Sequence, residues 1–144
     1  MSTGHIDISY DLIDGIFDVL DGKVTYSGTT YPVYKSIPKT PDQVYVHIAD
    51  VIHSEDGTKE DFVYYGTVRI EVVNESNYRG DRKLAQKILG VVRGLLKTSK
   101  ENTFTCGSLN LITFSHETFN EFIEMSDEGI SRIRLIDSYN FIIE

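Results

Sequence analysis

The stretch that decides the fold is Phe62-Val-Tyr-Tyr-Gly-Thr-Val-Arg-Ile-Glu-Val-Val73, near the middle of the 144-residue chain. Its second half alternates between apolar residues, which are Val68, Ile70 and Val72, and charged residues. Because successive side chains of a strand point to opposite faces, this alternation predicts a β-strand with one buried face and one polar face. It is the clearest strand in the chain.

A second strand is predicted just before it, because residues 44–53 also alternate. Between the two lies the charged segment Ser54-Glu-Asp-Gly-Thr-Lys-Glu-Asp61, in which Asp56-Gly57 is a turn signal. The two strands are therefore predicted to form a long antiparallel hairpin with a charged tip. A tip that is longer and more polar than the connection needs often carries a docking role, and plain solvent exposure is an equally good interpretation. The candidate docking residues are Glu55, Asp56, Lys59, Glu60 and Asp61.

Two segments have the 3.6-residue period of a helix. From Ser9 to Leu20 the apolar residues predict a short amphipathic helix that ends before Gly22. From Asp81 to Lys97 they predict a longer helix with basic residues on the face opposite its apolar stripe. Two glycines interrupt this second helix, and they are interpreted as points of close approach to another element. The stripe is Leu84, Ala85, Ile88, Leu89, Val92, Leu95 and Leu96, the basic residues are Arg82, Lys83, Lys87, Arg93 and Lys97, and the glycines are Gly90 and Gly94.

The last third of the chain completes the fold. Residues 109–114 predict a strand, residues 117–125 a strand or a short helix, and residues 130–143 a long closing strand. The order helix, strands, helix, strands predicts an α+β fold, in which an antiparallel β-sheet with long hairpins is packed by two α-helices. The length suits a single domain covering residues 1–144.

The composition argues against several classes of protein. A net charge of −8, from 22 acidic and 14 basic side chains, opposes nonspecific binding to nucleic acid or to an anionic membrane. Cys106 is the one cysteine, so no disulfide can form within the chain and a reducing compartment is expected. No apolar run reaches the ~20 residues of a membrane span, and the first residues lack a secretion signal. We expect a soluble protein, intracellular when made, with no membrane partner.

The sharpest local pattern is a stripe of aspartates on the first predicted helix. Their spacings of four, three, four and three residues place them on one side of that helix. A solvated face is the commoner explanation. The functional alternative is a surface that repels a polyanion, such as the wall of an opening through which DNA passes without binding. The five residues of this acidic face are Asp7, Asp11, Asp14, Asp18 and Asp21.

No pattern in the chain is typical of catalysis or of metal binding. The four histidines stand in no spacing that a zinc site would use, and His47 and His53 are predicted to share one face of a strand. Cys106 is interpreted as a buried or half-buried structural residue rather than a nucleophile. There is no Gly-x-Ser-x-Gly elbow and no phosphate-binding loop. We therefore predict no catalytic residue, no metal and no cofactor.

Seven segments carry a family resemblance that spans almost the whole chain. They are Asp11-Leu-Ile-Asp-Gly-Ile-Phe-Asp-Val-Leu20, Tyr31-Pro-Val-Tyr34, Tyr45-Val-His-Ile48, Thr67-Val-Arg-Ile-Glu-Val-Val73, Glu75-Ser-Asn77, Leu84-Ala-Gln-Lys-Ile-Leu89 and Met125-Ser-Asp-Glu-Gly-Ile-Ser-Arg-Ile-Arg-Leu135. In this pattern the chain resembles the tail-terminator, or tail-completion, proteins of tailed bacteriophages, which form a ring between the tail tube and the head-side connector. One departure is at Val44-Tyr45-Val46, where the family often has a Pro-Tyr-Val step and this chain has its nearest proline at Pro41.

The resemblance implies a structural virion protein and no enzyme. Such proteins assemble as a homo-oligomeric ring, commonly sixfold, at the head–tail interface, after synthesis in the host cytoplasm. The implied partners are connector and tail proteins, together with genomic DNA that passes through the lumen without specific binding. The acidic face is then a candidate for the lumen side. A neck adaptor ring of a short-tailed phage is a related alternative, and a small α+β ligand-binding domain or enzyme unrelated to phage is the competing one.

Overall fold

The computed structural model describes residues 8–57, 62–75, 81–97, 104, 106–107, 109–126 and 129–144. Within these ranges the chain forms two helices and seven strands. In chain order they are α1 (Ile8–Leu20), β1 (Thr25–Tyr26), β2 (Thr29–Thr30), β3 (Val33–Tyr34), β4 (Val44–Gly57), β5 (Phe62–Asn74), α2 (Asp81–Leu96), β6 (Leu111–Ser126) and β7 (Gly129–Ile143).

Five of the strands form one sheet in the order β3-β4-β5-β7-β6. The β3–β4 pair is parallel and the other three pairs are antiparallel. The decisive strand of the sequence, β5, is central and pairs with β4 on one side and β7 on the other. β1 and β2 make a separate two-stranded hairpin. The predicted α+β class is confirmed, with two helices against a mostly antiparallel sheet.

The predicted hairpin of β4 and β5 is confirmed, with pairs running from Val44 opposite Asn74 to Gly57 opposite Phe62. β4 contains one extra residue between Ile48 and Asp50, which is a β-bulge. Because side chains alternate, one inserted residue moves everything after it to the other face.

This bulge makes the predicted placement of the two β4 histidines wrong. His47 contacts Glu71 on the face of the sheet away from the helices. His53 instead stacks edge-on against Tyr64, with ring centroids 6.1 Å apart. The two histidines therefore lie on opposite faces and cannot act together.

The two segments predicted separately at 109–114 and 117–125 form one strand, β6. It pairs antiparallel with β7 along nearly its whole length, so the last two strands form a long hairpin. The β6 partners skip Ile112 and Glu117, so each is an extra residue on β6. These two insertions break the alternation in the sequence, which explains why one strand has the pattern of two elements.

Both helices cover the same face of the sheet, α1 over β3 and β4 and α2 over β5 and β7. The core lies between them and the sheet, and the apolar stripe predicted for α2 is confirmed. Leu84 and Leu95 are partly buried at its margin, while the other five stripe residues are buried. α1 ends as predicted, because Gly22 adopts a left-handed conformation with φ of 74°.

The interpretation of the two glycines of α2 as points of close approach is wrong. A Cβ added at Gly90 or at Gly94 would have no atom within 4 Å, because both face outward on the helix. They cost helix stability without a packing reason in this chain.

We therefore expect Gly90→Ala combined with Gly94→Ala to raise the free energy of unfolding by roughly 0.5–1 kcal/mol per site. Chemical denaturation followed by circular dichroism measures the change. A loss of stability would mean that another surface packs against this side of α2.

Candidate functional surfaces

The acidic face of α1 is partly engaged by the chain itself. Asp14 forms an ion pair with Lys35, with 2.9 Å between Oδ1 and Nζ. The ammonium group of Lys35 also lies over the ring of Phe17. Asp11 lies against Gly107, where a Cβ would come within 2.9 Å of Asp11 Oδ1.

Further along the same side, Asp18 and Asp21 are exposed, and Asp21 lies in the turn that follows the helix. Asp7 lies outside the described residues. Of the predicted acidic face, Asp11, Asp14 and Asp18 therefore lie on α1, and the more exposed aspartates, Asp18 and Asp21, lie towards and beyond its C-terminal end. The role of this face stays a prediction.

The candidate docking loop at the β4–β5 tip is only partly within the described residues. The backbone of Glu55 and Asp56 belongs to β4, opposite Tyr64 and Val63. Lys59, Glu60 and Asp61 lie outside the described part of the chain. The docking role of this tip stays a prediction.

A buried carboxylate, Asp137, is the centre of an ion-pair network on the helix side of the sheet. Its side chain is 0% exposed, and it accepts two hydrogen bonds from Arg93 of α2, at 2.6 and 2.7 Å. His116 of β6 also contacts the carboxylate, with 2.9 Å between its Nε2 and Asp137 Oδ1. The Tyr139 hydroxyl donates a longer bond of 3.4 Å. The network ties α2 to β6 and β7.

A cleft of about 340 Å³ opens beside this network, and its lining includes His116, Lys97 and Phe114. A histidine oriented by a carboxylate is one part of a hydrolytic site, but His116 contacts Asp137 and the ring of Tyr139, and neither is a nucleophile held for attack. Burial and the neighbouring Asp137 carboxylate raise the pKa of Tyr139, so its phenol stays protonated. Three polar side chains of the cleft, Arg93, His116 and Tyr139, all contact Asp137, which favours a structural role for them.

A second buried carboxylate, Glu71, lies on the opposite face of the sheet. His47 Nδ1 lies 2.9 Å from one oxygen, and Arg134 donates to the other at 2.8 and 3.1 Å. Burial acts to raise the pKa of Glu71, but the hydrogen bonds from His47 and Arg134 outweigh burial and hold that pKa below its ordinary value. The ionised form is therefore stabilised by folding.

This direction sets the sign of a pH dependence. A carboxylate with a lowered pKa in the folded state contributes stability above its unfolded pKa of about 4.3, and loses that contribution as the pH falls through the folded value. We expect Glu71→Gln to cost on the order of 1.5–3 kcal/mol at pH 7, the range for hydrogen bonds to charged groups. Urea unfolding should show this cost shrinking below pH 4.

Glu75→Gln is the matched control for that experiment. Glu75 pairs with Arg132 at 2.9 Å near the same end of β5, but its side chain is 31% exposed. Exposed pairs contribute only about 0–1 kcal/mol. Equal, pH-independent costs for the two variants would contradict the assignment of the buried ion pair to Glu71.

Cys106 is buried, as the sequence predicts. Burial, with a smaller contribution from Asp11, raises the pKa of its thiol to about 11. A thiol that stays protonated at neutral pH is a poor nucleophile. Among the described residues no group of three or more His, Cys, Asp or Glu side chains is arranged to hold a metal ion. In the same ranges no helix has the length and apolarity to cross a membrane.

One surface was not evident from the sequence, the outer half of β6. This strand is at the edge of the sheet, with β7 as its paired neighbour. It exposes four large apolar side chains at 43–67% of their area, which are Phe119, Phe122, Ile123 and Met125. Residues 117–125 are rich in large apolar residues, and this density could have indicated the surface. Because the segment was predicted as either a strand or a short helix, the face on which each residue lies could not be assigned.

Comparison with known proteins finds similarity in fold but no matching sequence family. No protein-family model matches this chain. No curated protein matches it in sequence. A solved chain from the virion of a native gene transfer agent (GTA) particle has a similar fold, with a TM-score of 0.72 and 14% sequence identity. The similarity covers 92% of this chain and 94% of that one, so the likeness is in the fold and extends over both chains almost entirely.

Proposed function

We propose that this protein is a structural component of a phage-like virion. The observation that carries the proposal is the likeness to a chain of the GTA virion over 92% of this chain and 94% of the other. Because the whole fold is shared, the likeness extends beyond one common motif. A single domain over residues 1–144 is part of the proposal, as is the absence of an enzymatic role. The likeness to a virion chain supports the latter. The pairing of Arg93 and His116 with Asp137 agrees with it, because these side chains are used to hold α2 against β6 and β7.

The finer proposal is a ring at the head–tail interface, which caps the tail or joins it to the connector and lets DNA pass. Three features support it. The sequence resembles tail-terminator proteins, the net charge of −8 opposes adhesion of DNA, and the sheet has two edges that no described strand covers completely. One edge is β6, and the other is the part of β4 beyond the two residues that β3 covers, Val46 and His47. Open edges are surfaces on which subunits can associate.

The test is to produce the particles with and without this chain. Mass spectrometry of purified particles should detect it, and electron microscopy of particles made without it should show heads and tails that do not join. Complete particles that deliver DNA without this chain would contradict the proposed position. Its absence from purified particles would contradict the virion role itself.

The competing function, a small ligand-binding domain or enzyme, has one observation in its favour. The cleft beside Asp137 brings together a histidine, a lysine and a tyrosine. Titrating the purified protein with a library of small metabolites, while recording the nuclear magnetic resonance chemical shifts of His116, would test it. Specific saturable shifts at this cleft would favour ligand binding over the structural proposal.

The lumen role of the acidic face stays a prediction, and it has its own test. Replacing Asp11, Asp14 and Asp18 by Asn should leave the fold intact, since relief of like-charge repulsion of about 0.2–0.5 kcal/mol per pair offsets loss of the exposed contact with Lys35. Assembled particles should then deliver DNA less efficiently. A variant with Lys83 and Lys87 changed to Gln, on the exposed side of α2, is the control. Normal delivery by the aspartate variant would exclude the lumen role.

A further inference from the structure

The outer edge of β6 is a free strand edge with apolar side chains on both faces. Its partner β7 occupies one side, and no described strand lies on the other. Phe122 is 49% exposed on the face away from the helices, where the guanidinium of Arg134 lies 5.9 Å from its ring. Phe119 is exposed on the helix side, where Arg93 lies 5.5 Å from its ring. An unpaired edge of this kind is a template for another strand.

The regular part of this edge has a defined centre. β6 carries its extra residues at Ile112 and Glu117, and from Thr118 to its end at Ser126 it has none. The residue skipped near the end of this span, Ser131, is on β7 and leaves β6 itself regular. The regular span therefore runs from residue 118 to residue 126, and its middle residue is Phe122.

We propose that in solution this edge pairs with the same edge of a second copy, antiparallel and about a two-fold axis at Phe122. In that register Phe122 lies opposite Phe122 of the partner subunit. Phe119 lies opposite Met125 of the partner subunit, since position i meets position 244 minus i. Directly opposite side chains on one face are the pairs that stabilise an antiparallel ladder. Both pairs here are apolar with apolar.

Neighbouring registers are worse for a physical reason. Two residues that lie opposite each other across an antiparallel pair point to the same face of the sheet. In a symmetric pair of identical strands, the two-fold axis therefore passes between two copies of the same residue. The nearest alternative registers are centred on the residue before or after Phe122. Centring on Glu121 pairs Phe119 with Ile123, but it places two carboxylates opposite each other and pairs Phe122 with Asn120. Centring on Ile123 pairs Phe122 with Glu124 and Glu121 with Met125. The register at Phe122 pairs Phe119 and Phe122 with apolar residues and places no charge opposite a charge, while Ile123 lies opposite Glu121 of the partner subunit. It therefore has more apolar pairs than either neighbouring register without the carboxylate repulsion.

A two-fold contact does not by itself close a sixfold ring, so this pairing is a property of the free protein that goes beyond the proposed virion role. It covers the apolar edge while the protein is outside a particle. Its failure would leave the virion proposal standing, because that proposal is tested by the composition and form of particles.

Disulfide cross-linking of the full chain tests the register. Phe122→Cys should form a disulfide-linked dimer under mild oxidation at least about tenfold faster than Ile123→Cys or Glu121→Cys, because a disulfide needs Cα atoms roughly 4.4–6.8 Å apart. An equimolar mixture of the Ile123→Cys and Glu121→Cys chains should cross-link to each other, because those two positions are opposite in this register. The native thiol of Cys106 is buried and contributes little background.

Sedimentation of the unmodified chain gives the second measurement. A concentration-dependent dimer is expected, and Phe122→Glu should abolish it while the circular dichroism spectrum stays unchanged, because the side chain is half exposed. Equal cross-linking rates at positions 121, 122 and 123 would overturn the register. A monomer at all concentrations would overturn the pairing itself.

Discussion

Replacing Arg93 by alanine is expected to lower the free energy of unfolding by about 2–4 kcal/mol, near the ~3–5 kcal/mol typical when one partner of a buried ion pair is removed. The reason is that Asp137 is 0% exposed and would lose two hydrogen bonds of 2.6 and 2.7 Å. The expected cost is below the full range because Arg93 itself is 42% exposed and His116 keeps its contact at 2.9 Å. Urea unfolding at pH 7 measures it.

Arg82→Ala is the matched control, because it removes the same side chain from the same helix. Arg82 pairs with Glu121 at 2.7 Å, but it is 55% exposed. Such a pair contributes roughly 0–1 kcal/mol. If the two arginine variants lose the same stability, Asp137 is not the carboxylate that depends on Arg93.

Gly66→Ala is expected to destabilise the β4–β5 hairpin by about 3 kcal/mol, at the upper end of the range for overpacked sites. A Cβ at this position would overlap the carbonyl oxygen of Ile52 and lie 2.7 Å from the Cα of His53. Both are backbone atoms of the adjacent strand, so no side-chain rotation relieves the overlap. The strands must separate locally, at the pair formed by Gly66 and His53. Thermal unfolding measures the loss.

The same substitution at Gly90 separates this effect from the general consequence of adding a methyl group. Gly90 has open space around it and lies in a helix, where alanine is preferred. The two variants should therefore shift the melting temperature in opposite directions. A Gly66→Ala protein as stable as the unmodified chain would show that β4 and β5 are farther apart at this point than described.

The elements with an unbroken period were predictable from the sequence. The apolar stripe of α2 and the alternation of residues 68–72 follow directly from packing one face of each element, and both are confirmed. β6 and the histidines of β4 were not, because the extra residues after Ile48, at Ile112 and at Glu117 are visible only in the pairing of strands. A bulge leaves no distinctive residue type to detect.

The two buried ion-pair networks, around Asp137 and around Glu71, could not be predicted from the sequence for a different reason. Arg93, His116 and Asp137 come from α2, β6 and β7, and 44 residues separate Arg93 from Asp137. Nothing in their local patterns marks them as partners. By contrast, the aspartate spacing of α1 was visible, but its engagement by Lys35 and Gly107 depends on loops that only the fold brings near. The spacing of residues along an element predicts which of them share a face. Which of those faces remain exposed depends on the tertiary structure.

The position of β7 in the sheet has a consequence for amide hydrogen exchange. β7 is paired along both edges, with β5 and with β6. One of its residues, Asp137, is bound by α2 on one face, while Arg134 holds Glu71 on the other. β7 cannot separate from the sheet without breaking its hydrogen bonds to β5 and β6 and its side-chain contacts on both faces. Its amide hydrogens are therefore expected to exchange only through global unfolding. Protection of residues 133–139 therefore reports the global stability of the protein, whereas in a single copy of the chain the far end of β6 reports only local fraying.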